Sequence, residues 1–308
     1  MALDADYLID RRRLKRRLGW WRIAAIVVAV VLVGVAVGKF TGINFAGIDR
    51  GDHIARLSID GIVQLDSLQL AAIREVRDNP RVKALIVRIN TPGGTVVGGE
   101  TLHNALKEVA ERKPVIALMD DLATSAGYMI AVAADRIYAH RGTITGSIGV
   151  IFQTAEITDL LKTLGVSVEM VKSGPFKAEP SPLSKMTPAV RAATQTLVDD
   201  MQEMFLGMVA TGRKMDSAKV LKLADGRIFT GRMAVQNGLV DALGGESDGV
   251  DWLEQERKID ADLPIRDVRP RRQVEDWLDY ASSLIQKTTF SERLTLDGLV
   301  SVWHPQMH

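Results

Sequence analysis

The sequence predicts an α/β fold of repeated βαβ units with a helical C-terminal extension. Three observations carry this. Short β-rich runs recur at residues 53–59, 84–89 and 115–119; stretches with helical spacing fill 65–76 and 97–112 between them; and turn residues mark the junctions, at Asn79-Pro80 and Asn90-Thr-Pro-Gly-Gly-Thr95. Strands that alternate with helices at this pace pair in parallel through right-handed crossovers. No internal duplication is visible, and 308 residues can bury a sizeable core.

In chain order, residues 39–52, with Gly42, Gly47 and Gly51, read as a linker. Residues 53–59 alternate apolar and polar side chains, as a half-buried strand does. A helix over 65–76 ends at Asn79-Pro80, and the run 84–89 leads through the Pro-Gly-Gly turn into the helix 97–112. The strand 115–119 runs into Asp120, Asp121 and the small-residue turn Ala123-Thr-Ser-Ala-Gly-Tyr128, then an apolar helix to Ala134. Residues 136–139, 148–152 and 166–171 read as further strands and 157–164 as a helix. Thr187 caps a long helix to Met208, with Pro188 in its first turn. Shorter helices follow over 217–223, 231–237 and 247–256. Residues 277–285 have an amphipathic helical pattern, and the last twenty residues have none.

Composition excludes more than it selects. The chain is 46% hydrophobic and 25% charged with a net charge of +1, without the basic excess of a nucleic-acid binder. It has no cysteine, which removes disulfides, thiol nucleophiles and cysteine zinc sites. No His, Asp and Glu cluster has ligand spacing, so neither a metal nor another cofactor is implied.

Charge is unevenly placed. Residues 1–22 hold seven Lys and Arg against three Asp, and residues 23–38 carry no charge. Counted from Leu18, with Trp20 and Trp21 at its edge, the apolar stretch reaches 21 residues and contains only Arg22 as a charge. About 20 apolar residues span a bilayer. Arg22 can snorkel to the basic side, and the tryptophans suit the interface. A cleaved signal peptide shares the basic start and the apolar run, but no convincing small-x-small site precedes Lys39; a core helix this long without polar breaks is uncommon. The expectation is a basic cytoplasmic segment over 1–17, one uncleaved transmembrane helix over 18–38, and everything from Phe40 onward outside the cytoplasm.

Ser125 is the first candidate for chemistry. A serine at the start of an apolar helix, just after a strand, stands on fixed backbone near amide groups that the helix leaves free. The competing reading is a helix cap. The Pro92-Gly93-Gly94 loop also ends a strand and opens a helix, so it can lie beside the serine turn at one sheet end. A carbonyl over Ser125 would then meet amides of Gly93 or Gly94 and of Ala126, an oxyanion hole. The five histidines, His53, His103, His140, His304 and His308, are poorly placed for a serine base, and G-x-S-x-G is not met because position 123 is alanine. Lysine is the other base. Lys177 lies in Ser173-Gly-Pro-Phe-Lys-Ala-Glu-Pro-Ser-Pro182, where prolines stiffen the backbone and Phe176 offers apolar cover. An ordinary lysine has a pKa of about 10.4, and burial lowers such a value by roughly 3–5 units. A solvated loop lysine remains the alternative. In Gly142-Thr-Ile-Thr-Gly-Ser-Ile-Gly-Val150, Ser147 could orient a neutral amine, or the glycines could simply turn the chain.

Together these pieces resemble the bacterial signal peptide peptidase A family in its short, single-repeat form. The resemblance rests on Asn90-Thr-Pro-Gly-Gly, Ser125-Ala-Gly-Tyr, Thr145-Gly-Ser-Ile-Gly-Val and Ser173-Gly-Pro-Phe-Lys177, in this order behind an N-terminal anchor, and on Gly231-Arg-Met-Ala-Val-Gln-Asn-Gly-Leu-Val-Asp241. It implies a ClpP/crotonase-like protease domain over 53–245, with a helical segment and tail over 246–308. It implies a serine–lysine endopeptidase with Ser125 as nucleophile, Lys177 as general base and Ser147 orienting that base. Gly93, Gly94 and Ala126 are the implied oxyanion donors. The implied substrates are signal peptides left in the bilayer after preprotein cleavage, and the implied assembly is a homo-oligomeric ring with the dyad built across protomers. The implied place is the bacterial inner membrane, with the catalytic domain on the periplasmic side. Rival readings are an acyl-CoA hydratase or isomerase of the same fold, a related Ser-Lys protease acting on stomatin-like or other membrane proteins, and a membrane-anchored scaffold with a dead site.

Overall fold

The computed structural model describes residues 18–29 and 51–268. The chain divides into two compact units, Met1–Gly51 and Asp52–His308. In the first, the described residues form one helix, α1 (residues 18–29), on which Trp20, Trp21, Ile23 and Ile26 are exposed. No helix among the described residues is long and apolar enough to cross a membrane. Residues 30–38 of the expected anchor lie outside the described residues, as does the helical pattern at 277–285.

The second unit is a mixed α/β body on an eight-stranded sheet. Its strands are β1 (His53–Val63), β2 (Val82–Gly94), β3 (Val115–Thr124), β4 (Arg136–Ala139), β5 (Ile144–Gly146), β6 (Ile228–Thr230), β7 (Ala242–Leu243) and β8 (Ile265–Asp267). The order is β6-β5-β3-β2-β1-β8, with β4 beside β3 and β7 beside β4. Only the β5–β6 pair is antiparallel. Parallel neighbours need crossovers; α2 (Ser67–Asp78), α3 (Val96–Ala110) and α4 (Ala126–Ala131) supply the first three. Asp66 caps α2 by accepting from the Leu68 amide at 2.8 Å, and Thr95 caps α3 by accepting from Gly98 at 3.0 Å.

The central strands read as continuous apolar runs because both of their faces are covered. Leu85, Val87 and Ile89 of β2, with Val115, Ala117 and Met119 of β3, join the larger core under α2, α3, α4 and α6 (Pro188–Arg213). The alternate residues Ala84, Ile86, Ile116 and Leu118 join Leu253 of α9 (Glu246–Arg257) on the opposite face. β3 divides its other edge between two short strands. Residues 116–119 pair with β4, and residues 122–124 pair with β5.

Residues 148–152 and 166–171, expected as strands, form none. They are β-rich, but no strand pairs with them, and Ile151 is 84% and Val171 98% exposed. Between α5 (Thr158–Thr163) and α6 there is no regular element at all. The remaining helices are α7 (Ser217–Leu223) and α8 (Gly231–Asn237). The helix from Pro188 runs on to Arg213 rather than ending at Met208.

Arg213 explains that extension. Its guanidinium holds Asp241 through two bonds of 2.9 and 2.7 Å, its Nε donates to the Gly238 carbonyl at 3.0 Å, and its side chain is only 8% exposed. Asp241 also accepts the Ile137 amide of β4 at 2.8 Å. Burial alone would raise the Asp241 pKa; the hydrogen bonds and charge of Arg213, with the Ile137 amide, hold it below the usual carboxylate range. Breaking a buried pair strands the surviving charge, so Arg213→Ala should cost about 3 kcal/mol. A urea unfolding midpoint barely different from wild type would show that solvent reaches the surviving carboxylate.

Candidate active site

Ser125 stands where β3 ends and α4 begins, with φ 54° and ψ −118°. A non-glycine residue in such a sparsely populated region costs of order 1–3 kcal/mol and persists only where its surroundings hold it. The Ser125 amide donates to the Gly146 carbonyl at 3.0 Å, which extends the β3–β5 pairing by one residue. Its own carbonyl accepts from the Met129 amide at 2.9 Å and so starts the helix. Its side chain accepts no amide of α4. A capping serine has extended backbone and a bonded side-chain oxygen; Ser125 has neither. The turn instead presents a half-buried hydroxyl, without a hydrogen bond among the described residues, at the C-terminal end of a parallel strand, as a nucleophile elbow does.

The Pro-Gly-Gly loop does lie against this turn. A Cβ added to Gly93 (φ +115°) would come within 2.9 Å of Ser125 Cβ and 3.3 Å of Ser125 Oγ, so only glycine brings the backbone this close. The two glycines then differ. The Gly93 amide already donates to Thr91 Oγ1 at 3.0 Å. The Thr95 amide donates to the Val63 carbonyl of β1 at 2.9 Å. Successive amides of a strand point to opposite edges, so the Gly94 amide faces away from β1, toward the side of β2 where β3 runs. Of the two, Gly94 is the better-directed donor. Ala126 is the first residue of α4, so its amide is among those an α-helix leaves without an internal partner.

Thr91, which the sequence reading passes over as part of a turn, organises this corner. It is fully buried, and its Oγ1 reaches the Gly61 carbonyl of β1 as well as the Gly93 amide. Its methyl fills the space above Gly127 of α4, where an added Cβ would lie 2.6 Å away. One side chain thus spaces β1, the glycine loop and the serine helix. The only hint in the sequence is its place beside Pro92.

Ser147 directly follows Gly146, the residue that accepts the Ser125 amide. It is half-buried at φ 49°, with its own amide on the Arg227 carbonyl at 2.8 Å. Lys177 is placed differently. It is exposed within the irregular stretch before α6, and its amide donates to the Gly174 carbonyl at 3.2 Å. No hydrogen bond among the described residues joins its side chain to Ser125 or Ser147. The structure therefore gathers Gly93, Gly94, Ser125, Ala126 and Ser147 at one sheet end and shows no bond that brings Lys177 to them. Its neighbours in the stretch are distinctive: Lys172 pairs with Glu179, and Lys162 and Lys185 pair with Asp159. Among the described residues Lys177 is the lysine of this stretch without an acidic partner. No group of three or more His, Asp or Glu suited to a metal occurs among them.

Residues 107–260, half of the chain, match peptidase family S49. The chain belongs to this family. As a family S49 protein it falls in a class of proteases, and Ser125, Ser147 and Lys177 all lie inside the matched stretch. It is 39% identical over 211 residues to a putative protease of Synechocystis sp., covering 68% of this chain and 76% of that one. It is 36% identical over 191 residues to a putative signal peptide peptidase SppA of Enterococcus faecium, covering 62% and 56%. Among solved structures it is similar to a ClpP1 variant from Listeria monocytogenes, with a TM-score of 0.41 and 17% identity over 63% of this chain and 93% of that one.

The buried histidine of this family S49 chain is structural. His103 Nδ1 lies 2.8 Å from the Met129 carbonyl and ties α3 to the serine helix. Burial lowers its pKa, the Met129 hydrogen bond opposes that, and the charge of Lys107 adds to it. The folded ring thus resists protonation, while the unfolded chain titrates near the ordinary value of about 6.5. The stability this provides is complete above about pH 6.5 and is lost as the pH falls toward the lower folded value. His103→Gln should therefore flatten the acid-side loss of stability, read as urea midpoints measured between about pH 7 and 5.

Proposed function

We propose that this chain is a membrane-anchored serine endopeptidase that degrades signal peptides left in the membrane, using Ser125 and Lys177. The observation that carries the reading is the Ser125 hydroxyl, which makes no hydrogen bond among the described residues and is held at φ 54° against Gly93, at the start of α4. In the reaction, the Lys177 amine takes the Oγ proton as Oγ attacks the scissile carbonyl. The oxyanion rests on the Ala126 and Gly94 amides, where one such donor is worth about 3–4 kcal/mol. Collapse expels the amine product, which takes its proton from Lys177, and water then hydrolyses the acyl-enzyme with Lys177 again as base. Ser147, beside the backbone partner of Ser125, orients the lysine.

In this reading a neighbouring copy brings Lys177 to Ser125, on a ClpP/crotonase-like ring. The support is exposed apolar surface on both sides of α5: Ile151 and Phe152 before it and Val171 and Phe176 after it are all exposed, a quantity of apolar surface that a single copy leaves uncovered. Contact with a second copy would cover those side chains and exclude water from the amine. The anchor at 18–38 would hold the ring at a bacterial inner membrane, with the catalytic units on the periplasmic side and the substrate in the adjoining bilayer.

The test is cleavage of a labelled signal peptide by full-length, detergent-purified protein. Ser125→Ala and Lys177→Ala should each lower kcat by at least ~10³-fold, since members of a catalytic unit fail together. Mixing and reassembling the two variants should recover part of the activity if the dyad forms between copies. Near-normal turnover by Lys177→Ala would place the base elsewhere.

A further inference from the structure

The stretch between α5 and α6 has no helix or strand to fix it, yet its hydrogen bonds converge on one side chain. Glu179 is only 10% exposed. Its Oε1 accepts from Lys172 Nζ at 2.5 Å and from Ser184 Oγ at 3.1 Å, and its Oε2 accepts from the Ser181 amide at 3.0 Å. These partners come from both sides of Lys177. The backbone between them is folded as a tight double turn. The Lys177 amide donates to the Gly174 carbonyl and the Glu179 amide to the Phe176 carbonyl, each at 3.2 Å, with Ala178 at φ 61°. At the far end the Pro182 carbonyl accepts the Ile157 amide at 3.0 Å, which ties the stretch to the start of α5.

We propose that Glu179 is a positioning residue for Lys177: its carboxylate closes residues 172–184 into a clamp that fixes the base-bearing turn before a partner copy engages it. The proposal rests on the reading of Lys177 as the general base. Fixing a residue's backbone costs about 1–2 kcal/mol, and this turn has almost no buried apolar surface to offset that. Charge-assisted bonds are the strong kind available to an exposed segment. The clamp also sorts the lysines. Lys172 is held by the carboxylate and kept from the chemistry, while Lys177, five residues on, projects from the same turn without an acidic partner among the described residues.

The test compares full-length wild type with Glu179→Gln, Lys172→Met, Lys177→Ala and Ser125→Ala in detergent. Three quantities are read: kcat and KM on the labelled signal peptide, the rate of tryptic cleavage after Lys177, and the thermal midpoint. In both clamp variants kcat should fall by about 10–100-fold, the scale expected when a catalytic group is misplaced by roughly an ångström. KM should stay within about threefold, as for an interaction that matters to the transition state rather than to binding. Trypsin should cut after Lys177 faster than in wild type, with the thermal midpoint unchanged because the stretch lies outside the core. Wild-type kcat in Glu179→Gln, while Lys177→Ala is inactive, overturns this proposal and leaves the dyad standing. Unaltered tryptic cleavage in both clamp variants also overturns it. Full activity of Lys177→Ala or Ser125→Ala sinks the dyad reading, and the positioning role with it. If Glu179→Gln unfolds, Lys172→Met opens the clamp from its other side and decides the matter by the same readings.

Discussion

A serine held at φ 54° between a strand and a helix keeps that backbone only while its neighbours allow no other, and much of this molecule serves as those neighbours. β5 holds the Ser125 amide through Gly146. The glycine loop packs against Ser125 Cβ, and Thr91 sets the spacing beneath Gly127. The helix that follows is pinned at Tyr128, whose hydroxyl donates to the Leu239 carbonyl at 2.8 Å, in the segment that Arg213 and Asp241 fasten to β4. An order of 1–3 kcal/mol stored at one residue is small beside what these contacts supply together. The turn is thus dictated by tertiary structure and not by its own few residues.

The central βαβ units are legible in the sequence because their signals are local. The runs at 84–89 and 115–119 are buried on both faces, and Asn79-Pro80 and the Pro-Gly-Gly turn punctuate them. Residues 148–152 and 166–171 misled because β propensity describes a side chain's fit to a pleated surface, and here no surface is offered. β5, β6, β7 and β8 were invisible for the opposite reason: two or three residues each, they are strands only because a longer neighbour passes by. Within the site, Ser125, Gly93 and Gly94 announce themselves by residue type and position. Thr91 and Glu179 do not, because a threonine before a proline and a glutamate in a polar loop look ordinary until their partners are known. The difference between the amides of Gly93 and Gly94 depends on strand register, which one sequence does not fix.

The two halves of the proposed dyad sit on material of different character. Ser125 is placed by a packed interior and parallel ladders. Lys177 is placed by one carboxylate, a few turns and exposed apolar side chains. Interiors are close-packed and deform little, whereas a clamp of polar contacts can open and re-form. In that proposal accuracy resides in Ser125 and its packed surroundings, while Lys177 rides on the part that can rearrange.

The way β3 divides its edge has a consequence for inheritance. Residues 116–119 are enclosed by side chains on both faces, and Ala123 and Thr124 are buried beyond them, while 120–122 between the two pairings are less covered. The join falls at Asp120 and Asp121, where the Thr143 hydroxyl reaches the Asp120 carbonyl at 2.6 Å. A lineage can then vary side chains at the join itself without solving the interior anew, whereas exchange on either side of it disturbs the packing that holds the serine turn.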